Sequence, residues 1–577
     1  MKSDPVSVAS FLRSAEDELL GLSVETSHAD WVHATYINDD TQSLAAKANA
    51  RLIASTVRWA KRSMSLPPTT LGPEERRKVK LLRLSLSLVA PEDPREGEEL
   101  SRTVAEMQGT YAKGRHVPLG STEAVDLQGL SRILSESRDP TLLEDAWNGW
   151  HRVGREIRTP FVRYVELANR GARELGFPDM GGMWRSKYDM PPDDFAAEVE
   201  RLWQQVRPLY ETLHAYTRMR LLAAYGPDRV PERGPIPAHL LGNMWAQAWE
   251  GIFPLVAPAD ATPGFDLTQI LVARHTSPTE MVRYAERFFV SLGLEPLPAS
   301  FWERSMLVRP RDREVVCHAS AWDLDFVDDL RIKMCIEITG EDFQTIHHEL
   351  GHNYYQRAYA RQPFLFRESA HDGFHEAVGD TIGLSVTPEY LVRIGLLDAS
   401  PDASRDIGLL LQRALEKVAF LPFGLVVDRW RWEVFDGRIL PPEYNRTWWE
   451  MSEKYQGIRP PSPRGDEEFD PGAKFHVPAN VPYMRYFLAH ILQFQFHRAL
   501  AREIGHRGPL HRASIYGSKE AGNRLRAMLE MGSRNEWPDA LEAITGERRM
   551  DARGLLEYFA PLQAWLDQQV RAAPKGW

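Results

Sequence analysis

"TIHHELGHNY", residues 345–354, packs three histidines and a glutamate into six positions. Phe343, Ile346 and Leu350 recur at helical spacing, so the segment predicts a helix buried on part of its surface. His348 and His352 are four apart and share one face of that helix, where imidazoles on successive turns can ligate one metal ion. Glu349 lies between them on the side of the same cleft, placed to take a proton from metal-activated water. His347 and His352 are five apart, a poorer pair, which sets His347 aside.

A hydrolytic zinc keeps one position open and takes three protein ligands. "HDGFHEAVGD", 371–380, follows a turn containing Pro363 and offers Glu376 and Asp380, again four apart. Glu376 lies 24 residues after His352, room for a turn and a second antiparallel helix. It is the expected third ligand of a His₂Glu site. Asp380, one turn on, is placed to receive the other ring N–H of a zinc histidine. Gly373 and Gly379 allow the two helices to approach closely. Solvated helix acids and satisfied core histidines are the bland alternative, and the paired spacing argues against it.

Around this cluster the chain of 577 residues has an ordinary globular composition, 43% hydrophobic and 26% charged. Net charge is −10 with no basic block, which argues against nucleic acid and anionic membranes as partners. The longest apolar run, Val418–Val427, falls short of the roughly 20 residues a bilayer span needs. No signal-peptide pattern follows Met1, so the expected location is cytoplasmic if that terminus is native, and periplasmic or secreted if a leader has been removed. The two cysteines, Cys317 and Cys335, are too few for a disulfide framework, and composition alone favours free thiols.

Helical periodicity dominates: helices are expected over about 30–61, 97–112, 121–136, 140–174, 193–224, 342–361, 371–387, 403–433, 481–505 and 551–571, with Pro67–Pro68 ending the first. Strand signals are few. "RIKMCIEIT", 331–339, alternates, and "EVVCHASA", 314–321, is its expected partner. The prediction is a mainly α chain with a small sheet just before the zinc helices, and no repeat or low-complexity linker divides it.

"HHELGHNYYQRAY" followed by "FRESAHDGFHEAVGDTIGLSV" resembles the angiotensin-converting enzyme family of zinc dipeptidyl carboxypeptidases. "GPIPAHLLGNMWAQAWEGI" (234–252), "REVVCHASAWD" (313–323), "KVAFLPFGLVVDRWRWEVFDG" (417–437), "DPGAKFHVPANVPYMRYF" (470–487) and "GPLHRASIYGSKEAG" extend the resemblance over nearly the whole chain. It implies a gluzincin-type helical ellipsoid of two lobes with a deep central cleft, zinc at its bottom, and a lid formed by about the first 100 residues. A single HExxH implies one catalytic unit, a single peptidase domain over 1–577, in the manner of single-domain, bacterial-type members.

The resemblance also implies a substrate pocket that spacing does not show. Lys474, Tyr483 and Gln247 would hold the peptide's C-terminal carboxylate. His318 and His476 would bond the carbonyl between the last two residues. Tyr486 would stabilise the oxyanion, Ala319 would pair with substrate backbone as an added strand, and Phe420 would form an aromatic wall. The family's single-residue carboxypeptidase carries an arginine where this chain has Gln247 and lacks the lysine, so dipeptide release is expected. One activating chloride is implied on Arg485 and Tyr225. A second, matched by Arg185 and Trp448, is doubtful because Ser452 stands where an arginine is expected. Cys317 and Cys335 fall on the family's disulfide. His490 replaces an apolar phenylalanine and Thr345 a valine, pointing to a more polar pocket. Oligopeptides with a free C-terminus are the expected substrates and a monomer the expected state. The competing readings are another zinc oligopeptidase, a single-residue carboxypeptidase, or a catalytically silent peptide-binding homologue.

Overall fold

The computed structural model describes residues 7–577 apart from 68, 70, 259–263 and 572, so the first six residues of the expected lid and Pro68 lie outside the described residues. The chain is mainly α, with 65% helix and 3% strand. No described helix is long and apolar enough to cross a membrane.

The N-terminal region is three helices, α1 (Val8–Thr35), α2 (Asp39–Ser63) and α3 (Pro73–Leu84). The single helix expected over 30–61 is therefore two. The break is local chemistry: Asn38 accepts from the Thr41 amide at 2.9 Å and the Thr41 hydroxyl accepts from the Asn38 amide at 3.1 Å, a capping box that starts α2 afresh. These helices build their own small core from Phe11, Leu12, Leu19, Trp59, Val79 and Leu82. The expected 140–174 helix is likewise interrupted, at Arg152, and the 551–571 helix at Phe559.

Four helices carry the centre of the molecule besides the long α4 (Pro192–Tyr225): α5 (Gly340–Tyr359), α6 (Asp372–Leu384), α7 (Asp406–Phe435) and α8 (Met484–Glu503). α6 packs against both α5 and α8. Two glycines make the first of these contacts possible. A Cβ on Gly351 would stand 2.9 Å from the Gly379 Cα, and one on Gly379 would stand 2.7 Å from His348 Nδ1. Gly379 thus does what the sequence predicts, and its partner across the interface is Gly351.

The sheet beside the site is smaller than expected. β1 (Ser320–Asp323) and β2 (Leu330–Lys333) pair antiparallel, Ser320 opposite Lys333. Beyond Lys333 the alternating segment is shared between two neighbours: the Met334 and Ile336 amides bond Met306 O and Leu307 O, while the Cys335 amide reaches Cys317 O at 3.4 Å. The segment before Ser320 is also held by Lys333, whose ammonium donates to Val316 O and His318 O at 2.7 and 2.6 Å. Cys317 and Cys335 form a disulfide across it, with Cα atoms 5.0 Å apart. The free thiols favoured by composition are therefore corrected, and the bridge implied by the resemblance is present. Ala319 stands just before β1 rather than within it. A T-shaped Trp31–Trp322 pair at 5.5 Å ties α1 to this hairpin.

Candidate active site

α5 delivers His348, Glu349 and His352, and α6 delivers Glu376. The ligand atoms of His348, His352 and Glu376 all lie within 4.8 Å of one another. The two histidine Nε2 atoms face each other at 3.0 Å, and Glu376 Oε2 is 3.7 Å from His348 Nε2. Ligands at 2.0–2.1 Å from a tetrahedral zinc stand about 3.3 Å apart, so the donor set fits that ion.

The remaining ring nitrogens explain why both Nε2 atoms point inward. His348 Nδ1–H donates to Asp380 Oδ1 at 3.1 Å, the role expected for Asp380. Asp380 Oδ2 in turn accepts from Gln493 at 2.9 Å and Lys417 at 3.3 Å. Burial alone would raise the Asp380 pKa; Lys417 and His348 more than offset it and hold the group far below the carboxylate range. Burial opposes a charge on His348, yet Asp380, Glu349 and Glu376 push its imidazole up to about 9, so the site is built to hold positive charge. His352 Nδ1 lies 2.9 Å from His375 Nδ1, whose Nε2 is 3.3 Å from the Tyr359 hydroxyl. His375 was not foreseen; its only sequence signal is its place beside Glu376. His347 turns away, bonded to Phe343 O and Tyr390 Oη within the core.

Glu349 is 8% exposed, and burial raises its pKa, with His348 opposing and Glu376 assisting. The Ala321 backbone on β1 and His318 both lie near enough to favour its charged form, so the strand segment borders the metal site. His318 itself is exposed, its Nδ1 2.9 Å from Ala319 O.

A second cluster forms where α7 meets the loop leading into α8. Lys474 Nζ is 2.5 Å from Gln247 Oε1 and lies 4.1, 5.4 and 5.5 Å from the ring centres of Trp245, Tyr483 and Phe423. Trp245 was not foreseen. Burial pushes the Lys474 ammonium down to about 7. The His476 ring stands 4.8 Å from Tyr483 and 5.7 Å from Tyr486. Burial, then Lys474, lowers the His476 pKa to about 3, so it is a neutral imidazole. Desolvation raises the Tyr486 phenol, which is a neutral donor at physiological pH. An ion pair with both members nearly sealed from solvent sets this loop: Asp428 Oδ2 accepts from the Tyr483 and Met484 amides at 2.8 and 2.7 Å, while Arg431 donates to His476 O and Val481 O at 3.0 and 2.7 Å. Neither residue carried a sequence signal, because their partners lie about fifty positions away.

The expected anion pair is not brought together. Arg485 Nη2 is 3.2 Å from Asp372 Oδ2, and the Tyr188 hydroxyl donates to Asp372 Oδ1 at 3.0 Å. Tyr225 ends the 34-residue α4, roughly 50 Å along that helix from its Tyr188 end, with Arg138 as its charged neighbour. Tyr188, not Tyr225, is the phenol beside Arg485. Arg185 and Trp448 are apart as well: Arg185 pairs with Asp193 and stacks on Trp432, whereas Trp448 packs against Trp430 and Phe423.

A mostly helical body whose HExxH helix and following glutamate helix converge in this way is a gluzincin-type fold. A family model described as angiotensin-converting enzyme matches residues 2–577, and the chain belongs to that family. It is 44% identical to the angiotensin-converting enzyme of Bos taurus over 97% of this chain and 43% of the relative. It is 50% identical to that of Sus scrofa over 76% of this chain and 34% of the relative. With that of Theromyzon tessulatum the identity is 40% over 97% of this chain and 92% of the relative. The chain thus spans less than half the length of the Bos taurus and Sus scrofa relatives and nearly all of the Theromyzon tessulatum one.

Proposed function

We propose that this chain is a zinc metallopeptidase that releases dipeptides from the C-terminus of oligopeptides. The observation that carries the reading is the pairing of the His348–His352–Glu376 donor set with a separate Lys474–Gln247–Tyr483 cluster suited to a carboxylate. When bound, zinc supplies the Lewis acidity that makes water nucleophilic near neutral pH and polarises the scissile carbonyl. Glu349 takes the proton of the attacking water and passes it to the leaving amine. Tyr486 donates to the developing oxyanion, His318 and His476 donate to the carbonyl between the last two residues, and Ala319 extends the substrate as an added strand. All of these groups come from one chain, so the reading needs no second copy and treats the chain as a single peptidase domain.

A free carboxylate is the distinguishing requirement. Amidating the C-terminus of a decapeptide is expected to abolish cleavage; equal cleavage of free and amidated peptides would instead support an endo-oligopeptidase.

Lys474 gives a pH dependence. Its pKa is lowered to about 7, so its cation is present below that value and lost as pH rises through it. KM for free-carboxyl peptides is therefore expected to rise above about pH 7. The bound carboxylate keeps the lysine charged in the complex, so kcat follows less steeply. Lys474→Gln should raise KM and remove this trend, which a KM–pH profile of both proteins checks.

For chloride, the resemblance implies one activating ion on Arg485, while the Asp372 carboxylate beside Arg485 and Tyr188 favours a different reading. That carboxylate supplies the negative charge from within the chain. Titrating chloride into halide-free buffer is expected to change kcat/KM little in the native protein and to activate Asp372→Ala, where Arg485 loses its partner. Strong activation of the native protein would show chloride displacing Asp372.

A further inference from the structure

The wall beyond the carboxylate cluster is not wholly apolar. The Phe420 ring on α7 lies 5.9 Å from the Tyr483 ring and is stacked on His490, 4.5 Å away at an interplanar angle of 23°. On α8, His490 follows Tyr486 by one turn and the Tyr483 cap by two, so the three line one face. The imidazole therefore borders the space that takes the side chain of the residue whose carboxylate Tyr483 and Lys474 hold.

The ring's orientation is decided by one bond. His490 Nδ1 is 2.8 Å from Tyr486 O, and a carbonyl only accepts, so Nδ1 carries the proton. Burial, helped by Lys417, pushes the pKa down to about 4, leaving a neutral ring whose Nε2 is an acceptor. The ring is half-buried and its Nε2 makes no hydrogen bond among the described residues. The nearby donors are turned elsewhere: Lys417 pairs with Asp380 and Glu416, and Gln493 donates to Asp380 and Ala489 O. Beside the Phe420 ring, this nitrogen is an acceptor without a donor among the described residues.

We propose that His490 selects the last residue of the substrate: its Nε2 accepts a hydrogen bond from that residue's side chain, so amide-bearing termini are preferred to apolar ones of the same shape. The proposal rests on the dipeptidyl carboxypeptidase reading, which puts the last side chain against this wall. Near-isosteric pairs isolate the term, because an apolar terminus of the same shape leaves Nε2 unpaired.

The test uses the full-length zinc-loaded protein and peptides that differ only in ending with glutamine or methionine, or with asparagine or leucine. In the native protein kcat/KM is expected to favour the amide member by about tenfold, the scale of one net hydrogen bond. In H490F, whose ring can keep the stack on Phe420, that ratio should collapse; H490Q, which keeps an acceptor, should restore part of it. Thermal midpoints and zinc content show that the variants are folded. An unchanged ratio in both variants, or a contrast that appears only when the pair is moved to the penultimate position, would overturn the proposal. Product masses from the same reactions report separately on the reading beneath it: single residues or internal fragments in place of dipeptides would remove that reading whatever the ratios.

Discussion

Glu349→Gln is expected to lower kcat by about 10²–10⁴-fold, the usual contribution of a positioned general base, while zinc content stays at one per chain. The physical case is specific to this site. Glu349 shares α5 with the two histidines but is not among the three converging ligand atoms, so its loss leaves the donor set intact. Glutamine has nearly the same shape, so the buried place beside the Ala321 backbone is filled as before. What glutamine cannot do is take a proton. The raised pKa, caused first by burial, brings the native carboxylate closer to neutral pH and makes it a better base. Elemental analysis beside single-turnover kinetics separates the two effects. Near-native turnover with bound zinc would remove Glu349 from the role, and loss of zinc would make it structural.

Tyr486→Phe is the second large effect: kcat should fall by about 10²–10³-fold, the range for removing one oxyanion donor, with KM little changed. Tyr486 lies in the first turn of α8, and its ring is 4.9 Å from Tyr483 and 5.7 Å from His476. Desolvation keeps its phenol protonated, so it can donate. Phenylalanine preserves those ring contacts and deletes only the donor. A rise in KM with kcat preserved would place Tyr486 in ground-state binding instead.

How much of this could be read from residues alone follows the range of each interaction. His348 and His352 were legible because ligands four apart on one helix need no tertiary information. Glu376 and Asp380 were legible because a turn and a second helix bring the two segments side by side, and the Gly351–Gly379 contact is what lets them meet. Alternation overstated the hairpin, since after Lys333 the Met334 and Ile336 amides turn to 306–307 and only the Cys335 amide reaches back to the 314–318 segment, at Cys317 O. Asp428 and Arg431 were invisible as loop-setters, because nothing in a helix interior announces which distant backbone groups it will bond. Tyr225 failed for a related reason: its helix is straight-through periodic for 34 residues, and periodicity says nothing about which end meets Arg485. The Asp372 carboxylate stands four residues before Glu376, yet nothing in the local sequence assigns it to that arginine, more than a hundred positions away.

In the proposed function the carboxylate cluster of Lys474, Gln247 and Tyr483 stands two residues beyond the scissile bond. Mass spectrometry of the products of a defined decapeptide, sampled early in the reaction and repeated with a zinc chelator, tests it directly. An octapeptide and a dipeptide are the expected first products, both absent with chelator. A nonapeptide with a free amino acid, or internal cleavage of the amidated peptide, would contradict it.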